Sequence, residues 1–328
     1  EDRGGVFCRL ATSTTTSLSV PATLVSSTEL FCRTPVSAFA DAVGRAIGGS
    51  ASLALTLNGD HSAYSVSNVS FHYYMQSLVA DAVQVSSVSP VAGPSAGGSL
   101  LNISGQGFSD LGGVLCRFGR TELTVPATLI NGGLVQCTTP RMSDPLAGLG
   151  LRAPANTRPQ AEIVQLTLNG QDFTPSEASF TAFDQSLVRV SSLLPQGGPS
   201  GGRTQLTVLG SGFADYNAHC VFEGSVVVRA VVMNASFVLC ETPAMPAARP
   251  VSVELTLNSD TAAHSLTSDG VQFYFYDASA VYVSSVAPQG GPSGGGTIVT
   301  VRGSGFEDRG GAYCLFGSST SFGFSAAV

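Results

Sequence analysis

The sequence predicts an all-β protein, tandem β-sandwich domains arranged as a rod, and three observations carry that prediction. A segment of about a hundred residues is repeated along the chain. Inside each repeat, apolar and polar residues alternate with period two, the signature of strands with one face in a core. No stretch of useful length carries the spacing of an amphipathic helix.

Composition fits. Of 328 residues, 43% are hydrophobic, enough for packed cores, while only 11% are charged. All 15 basic residues are Arg, since Lys is absent, and the net charge of −7 argues against a partner held by its phosphate backbone, so no nucleic acid is expected. No apolar run approaches the roughly 18 residues of a membrane span. The first residues, Glu1 to Arg3, do not read as a basic-then-apolar leader.

Each repeat is laid out in the same order. It opens on a short strand (Val85–Val88, Val190–Leu193, Val283–Val286) that runs into a Gly-Pro turn around Pro94, Pro199 and Pro292. An alternating strand follows, with Leu101 and Ile103 inward in one copy, Leu206 and Val208 in the next, and Val299 and Val301 in the last. Gly-x-Gly-Phe closes it at Gly105–Phe108, Gly210–Phe213 and Gly303–Phe306. Later come Leu-Thr-Leu-Asn (Leu55–Asn58, Leu166–Asn169, Leu255–Asn258) and an aromatic strand (Phe71–Tyr74, Phe180–Phe183, Phe273–Tyr276). Asn-Gly turns such as those at Asn131 and Asn169 separate the strands. The predicted domains are residues 1–80, lacking its first strands, 81–184 and 185–279, both complete, and 280–328, the opening part of a further copy. Short links between aromatic strand and next opening strand predict a semi-rigid array.

Seven cysteines follow the repeat in register: Cys8 with Cys32, Cys116 with Cys137, Cys220 with Cys240, one pair per copy. A phenylalanine lies two residues after the first member in two copies, at Phe118 and Phe222, and a Thr-Pro follows the second member in all three. Constant register favours disulfides over buried free thiols, and neither CxxC nor a His at ligand spacing points to a metal. Persistent disulfides place the chain outside the cell. Cys314 is left over, unpaired or with a partner outside the chain, because the last copy stops before its second Cys. Glu1–Gly5 recurs verbatim as Glu307–Gly311. Two readings follow: a window cut from a longer tandem array, which is preferred, or ends that complete each other between chains by strand donation. Both imply head-to-tail continuity, and a heterologous contact of that kind builds open filaments.

The ordered set Pro-x-x-Gly-Pro-x-x-Gly-Gly, Gly-x-Gly-Phe, Cys-x-Phe, Val-x-Cys-x-Thr-Pro, Leu-Thr-Leu-Asn and aromatic strand resembles tandem IPT/TIG domains. These are the immunoglobulin-like repeats of plexins, Met-type receptors and many large secreted proteins. The resemblance covers essentially the whole chain, as two complete and two partial copies. It implies an immunoglobulin-like sandwich with the Cys pairs bridged, and a role in adhesion, recognition or extended scaffolding. IPT/TIG-like domains also occur in DNA-binding transcription factors, a role at odds with the acidic charge and absent Lys here.

Several motifs are decoys. Gly198–Gly202 satisfies G-x-S-x-G, but it recurs once per copy and a strand follows it, so it reads as a turn rather than a nucleophile elbow. Gly105–Asp110 begins like a dinucleotide fingerprint, with Asp in place of the third Gly and no helix after it. Asp110, Asp215 and Asp308 read as turn caps rather than Ca²⁺ ligands. His61, His72, His219 and His264 do not recur in register, and no paired carboxylates do, so neither enzyme activity nor a cofactor is expected. Three N-x-[ST] sequons, at Asn68, Asn102 and Asn234, read as solvent-facing N-glycosylation sites, with unmodified Asn as the alternative.

The function expected is a structural subunit of an extracellular filament, appendage or cell-surface coat, secreted or at the cell surface, self-associating head-to-tail or continuing a longer array, and carrying covalent glycans. The alternatives are a ligand-binding or adhesive receptor ectodomain of plexin-like type, and an accessory module of a carbohydrate-active enzyme.

Overall fold

The computed structural model describes residues 5–13, 16–36, 48–60, 62–65, 68–75, 83–119, 122–142, 160–316 and 324–327. Glu1 to Gly4 of the verbatim pentapeptide and His61 lie outside them. Among the described residues, helix is confined to two single 3₁₀ turns, and 26 strands make up the rest of the regular structure.

In the first repeat these are β1 (Val6–Ala11), β2 (Ser17–Leu24), β3 (Leu30–Cys32), β4 (Gly49–Thr56) and β5 (Ser70–Tyr73). The second has β6 (Gln84–Ser89), β7 (Ala92–Pro94), β8 (Leu100–Gln106), β9 (Leu115–Phe118), β10 (Leu123–Asn131), β11 (Leu134–Thr138), β12 (Gln160–Thr167) and β13 (Ser179–Phe183). In the third are β14 (Arg189–Leu194), β15 (Gly197–Pro199), β16 (Gln205–Ser211), β17 (His219–Phe222), β18 (Val226–Arg229), β19 (Val231–Asn234), β20 (Phe237–Glu241), β21 (Pro250–Thr256) and β22 (Gln272–Tyr276). The last carries β23 (Tyr282–Ala287), β24 (Thr300–Ser304), β25 (Tyr313–Phe316) and β26 (Phe324–Ala327). Contacts divide the chain into two compact units, Glu1–Val88 with Asn102–Cys137 and Ile163–Ala178, and Ser89–Leu101 with Thr138–Glu162 and Ser179–Val328.

In the first unit, the opening repeat forms one sheet ordered β3-β2-β1-β4-β5. Of the second repeat, β9 pairs antiparallel with both β10 and β12, and β10 pairs with β11. Alternation does what period two dictates: Ile103 is fully buried, while Asn102 and Ser104 beside it are half-exposed. Phe71 of the first aromatic strand differs from Phe180 and Phe273, its buried counterparts in the next two repeats. It is exposed, because β5 is an edge strand and the described strands of this repeat form one sheet with no facing layer.

The second unit holds the whole of the third repeat, a sandwich of β14-β16-β20-β19 against β15-β22-β21-β17-β18. Its core gathers Val190, Leu193, Leu206, Val208, Phe222, Val238, Leu255, Phe273 and Phe275. Phe273 and Phe275 meet edge-on at 4.9 Å, and Phe275 meets Phe222 at 6.2 Å. The short β15 runs parallel to β22, as β7 does to β13.

The Gly-x-Gly-Phe echo is a packing device. A Cβ on Gly210 would stand 1.9 Å from the Arg189 carbonyl oxygen and 2.5 Å from the Phe213 ring, and Gly105 repeats this against Gln84 and Phe108. Only glycine lets the strand cross its neighbour that closely. The Gly-Gly of the Gly-Pro turn is tied to the Cys-x-Thr-Pro motif. Gly202 has φ +78°, and a Cβ there would strike the Pro243 carbonyl carbon at 2.5 Å. Thr242 seals the same corner, its N–H donating to Thr204 O (2.9 Å) and its Oγ1 accepting from Thr204 N (3.0 Å).

The last repeat repeats the residues without the burial. Val190, Leu193, Phe213 and Phe222 are 0–4% exposed in the third repeat, and their counterparts Val283, Val286, Phe306 and Phe316 are 38–60% exposed. There β23-β24 and β25-β26 are two-stranded sheets.

Candidate functional site: cystines and sequons

The cysteines are placed by the strand pattern. Cys8 on β1 is bonded to Cys32 on β3, Cys116 on β9 to Cys137 on β11, and Cys220 on β17 to Cys240 on β20, with Cα–Cα distances of 6.3, 6.6 and 6.5 Å. In the third repeat the bond joins the two sheets of the sandwich, both sulfurs lying in the core cluster. Cys314 is free and half-exposed.

The sequons occupy three different settings. Asn68 is exposed and precedes β5, an edge strand of its sheet. Asn234 is exposed and ends β19, also an edge strand. Its Oδ1 accepts from Ser236 N (2.7 Å) and Phe237 N (3.1 Å), an Asx turn that fixes the side chain by its oxygen. Asn102 lies on β8, between β6 and β11, half-buried, with its Oδ1 accepting from Gln136 Nε2 at 2.8 Å.

The turn aspartates cap turns: Asp110, Asp215 and Asp308 accept from the N–H two residues on, at 2.9, 3.0 and 2.9 Å. Among the described residues, no three His, Cys, Asp or Glu side chains come together as a metal set would. His72 meets Ser50, His219 meets the Asn217 carbonyl, and His264 meets Asp260. Glu254 carries its carboxyl above the usual carboxylate range, first because burial disfavours the charge and then because Asp269 repels it. Asp277 is held below that range by the Ser279 hydroxyl and N–H it accepts from.

Some contacts were not anticipated. In each copy the Leu-Thr-Leu-Asn threonine donates its Oγ1 proton to the Asn Oδ1 two residues on. In the third copy Asn258 is buried, and its Nδ2 donates to Ala92 O at 2.9 Å. Tyr216 stacks on Phe183 at 5.8 Å, and three residues beyond the next Gly-x-Gly-Phe, Arg309 lies over Tyr274 at 3.9 Å. The echoing Thr-x-Asn was the available signal; what each Asn bonds to across the fold was not.

This arrangement is a tandem array of immunoglobulin-like β-sandwich repeats, stapled by cystines. The sequence profile of the IPT/TIG domain matches residues 84–182, 188–275 and 282–321, more than half of the chain, and the chain belongs to that family. A search of curated proteins finds no match. Among solved structures, the chain is similar to the plexin A4 extracellular region at 14% identity, covering 88% of this chain and 27% of that one, with a TM-score of 0.41. It is also similar to invasin, a bacterial integrin-binding protein (10% identity, 88% and 56% covered, TM-score 0.23). A third similarity is to FdeC, an Escherichia coli adhesin (14% identity, 70% and 74% covered, TM-score 0.22). The chain thus spans about a quarter of the plexin chain. No helix among the described residues is long and apolar enough to cross a membrane.

Proposed function

We propose that this chain is a segment of a cell-surface ectodomain, non-enzymatic, in which cystine-stapled IPT/TIG repeats serve adhesion or ligand binding and hold other parts of the protein at a distance from the membrane. The supporting observation is one cystine in each of the first three repeats, in register, a chemistry that persists where thiols are oxidised. N-linked sugars belong to the same reading. An antibody to the third repeat should label intact, unpermeabilised cells, with the cysteine pairs recovered oxidised from the labelled material. Labelling only after permeabilisation, with reduced thiols, overturns the proposal.

A second reading, head-to-tail assembly into a filament or coat, draws support from the apolar faces of β23 and β25, whose counterparts in the third repeat are core. Electron microscopy of the native material in which no extended polymers are seen rejects it.

A further inference from the structure

Edge strands are the exposed part of any sandwich, since their unpaired N–H and C=O groups invite another chain, and natural proteins cover or charge them. With no Lys and few other charges, this chain has little to charge them with. Several edge strands carry large apolar side chains in the open, among them β3 with Phe31 at 60%, β18 with Val227 at 42% and β14 with Leu194 at 52% exposure. Two more carry a pair each: β19, with Val231 and Met233 at 53% and 52%, and β5 with its preceding residue, Phe71 and Val69 at 36% and 61%. Each of these last two edges bears a sequon at one end. Asn234 is the last residue of β19, and Asn68 stands next to Val69. The third sequon falls on an inner strand, where Asn102 is engaged by Gln136.

We infer that Asn68 and Asn234 carry N-linked glycans that shield the apolar edges of β5 and β19, while Asn102 stays unmodified. This rests on the extracellular reading for access to the glycosylating machinery, and on the fold for the choice of sites. Geometry at Asn234 suits the chemistry. Asn234 is exposed, and both hydrogen bonds go to Oδ1 rather than to Nδ2, the atom that takes the sugar. The second repeat holds a built-in control. Asn131 makes the same turn, its Oδ1 accepting from Gly133 N at 2.9 Å, but Gly133 supplies no hydroxyl at the second following position.

The test is to export the full chain from a eukaryotic cell behind a cleavable leader and measure intact mass before and after enzymatic removal of N-glycans, with site mapping by the Asn-to-Asp change. Two glycans are expected, on Asn68 and Asn234. Ser236→Ala should lose one, and Gly133→Ser should gain one at Asn131. Ser236→Ala should also self-associate about twofold more than the parent at equal concentration, and Val231→Arg with Met233→Arg added should restore parental behaviour. An unmodified Asn68 or Asn234, or a sugar on Asn102 in place of either, overturns the site assignment. Ser236→Ala that loses its sugar yet associates no more than the parent overturns the shielding role. Cysteine oxidation is read separately in the same material: free thiols in a glycosylated product count against the extracellular reading alone, and bridged cysteines with bare Asn68 and Asn234 count against this inference alone.

Discussion

Cys220 and Cys240 close a loop of 20 residues across the core of the third repeat. By the chain-entropy argument such a link stabilises by about 3 kcal/mol, chiefly by restricting the unfolded chain. Replacing both with Ala should lower the denaturant-derived unfolding free energy by about that amount, and an unchanged midpoint would show the link to be idle. Leu206, fully buried in the same core, should cost about 2–5 kcal/mol as Leu206→Ala in the same measurement. Glu254 makes a pH prediction. Its carboxyl sits above the ordinary value of 4.5, so folding favours the protonated form. That contribution is complete below the unfolded value and disappears as pH rises through the folded one. Glu254→Gln should therefore raise stability at neutral pH relative to the parent and flatten its decline from mildly acidic to neutral pH, followed by thermal melts across that range.

At the level of strands, the crossing at Gly210 decides more than its size suggests. Gly210→Ala pushes a methyl into the Arg189 carbonyl, and a loss of about 3 kcal/mol is expected, against a change within about 0.5 kcal/mol for Gly201→Ala, which meets open space. Equal effects at the two positions would refute the close-approach account of Gly-x-Gly-Phe. Much of this level was readable in the chain itself. Period two placed Leu101, Ile103, Leu206 and Val208 inward, because each of those positions depends only on its immediate neighbours and on the pleat. The repeat likewise put the cysteines in register. What was not readable depends on strand order, a non-local property. The segments around Asn68, Asn102 and Asn234 look alike as text, yet one sits on an inner strand and two at edges, because β8 lies between β6 and β11 while β19 pairs with β20 alone. Phe71 and Phe273 are equally aromatic, and only the presence of a facing sheet makes the second a core residue. The bond from Asn258 to Ala92 spans 166 positions, and no local pattern announces it.

For the molecule as a whole, one string of residues appears as core in the third repeat and as surface in the last. Amides of β23 and β24 should therefore exchange with deuterium far faster than those of β14 and β16, which occupy the same places in a closed sandwich. Equal protection would mean that burial of Val190 and Leu193 contributes little to holding that hairpin. Cys314 sits at the same juncture: six of the seven cysteine sulfurs are tied, and it alone keeps a thiol. A maleimide dye should accordingly tag this chain once, at a known address, without any engineering. Should a cysteine from elsewhere bond to Cys314 as Cys240 bonds to Cys220, that tag would no longer attach, so the yield of a simple labelling reaction would count how many copies are joined in that way.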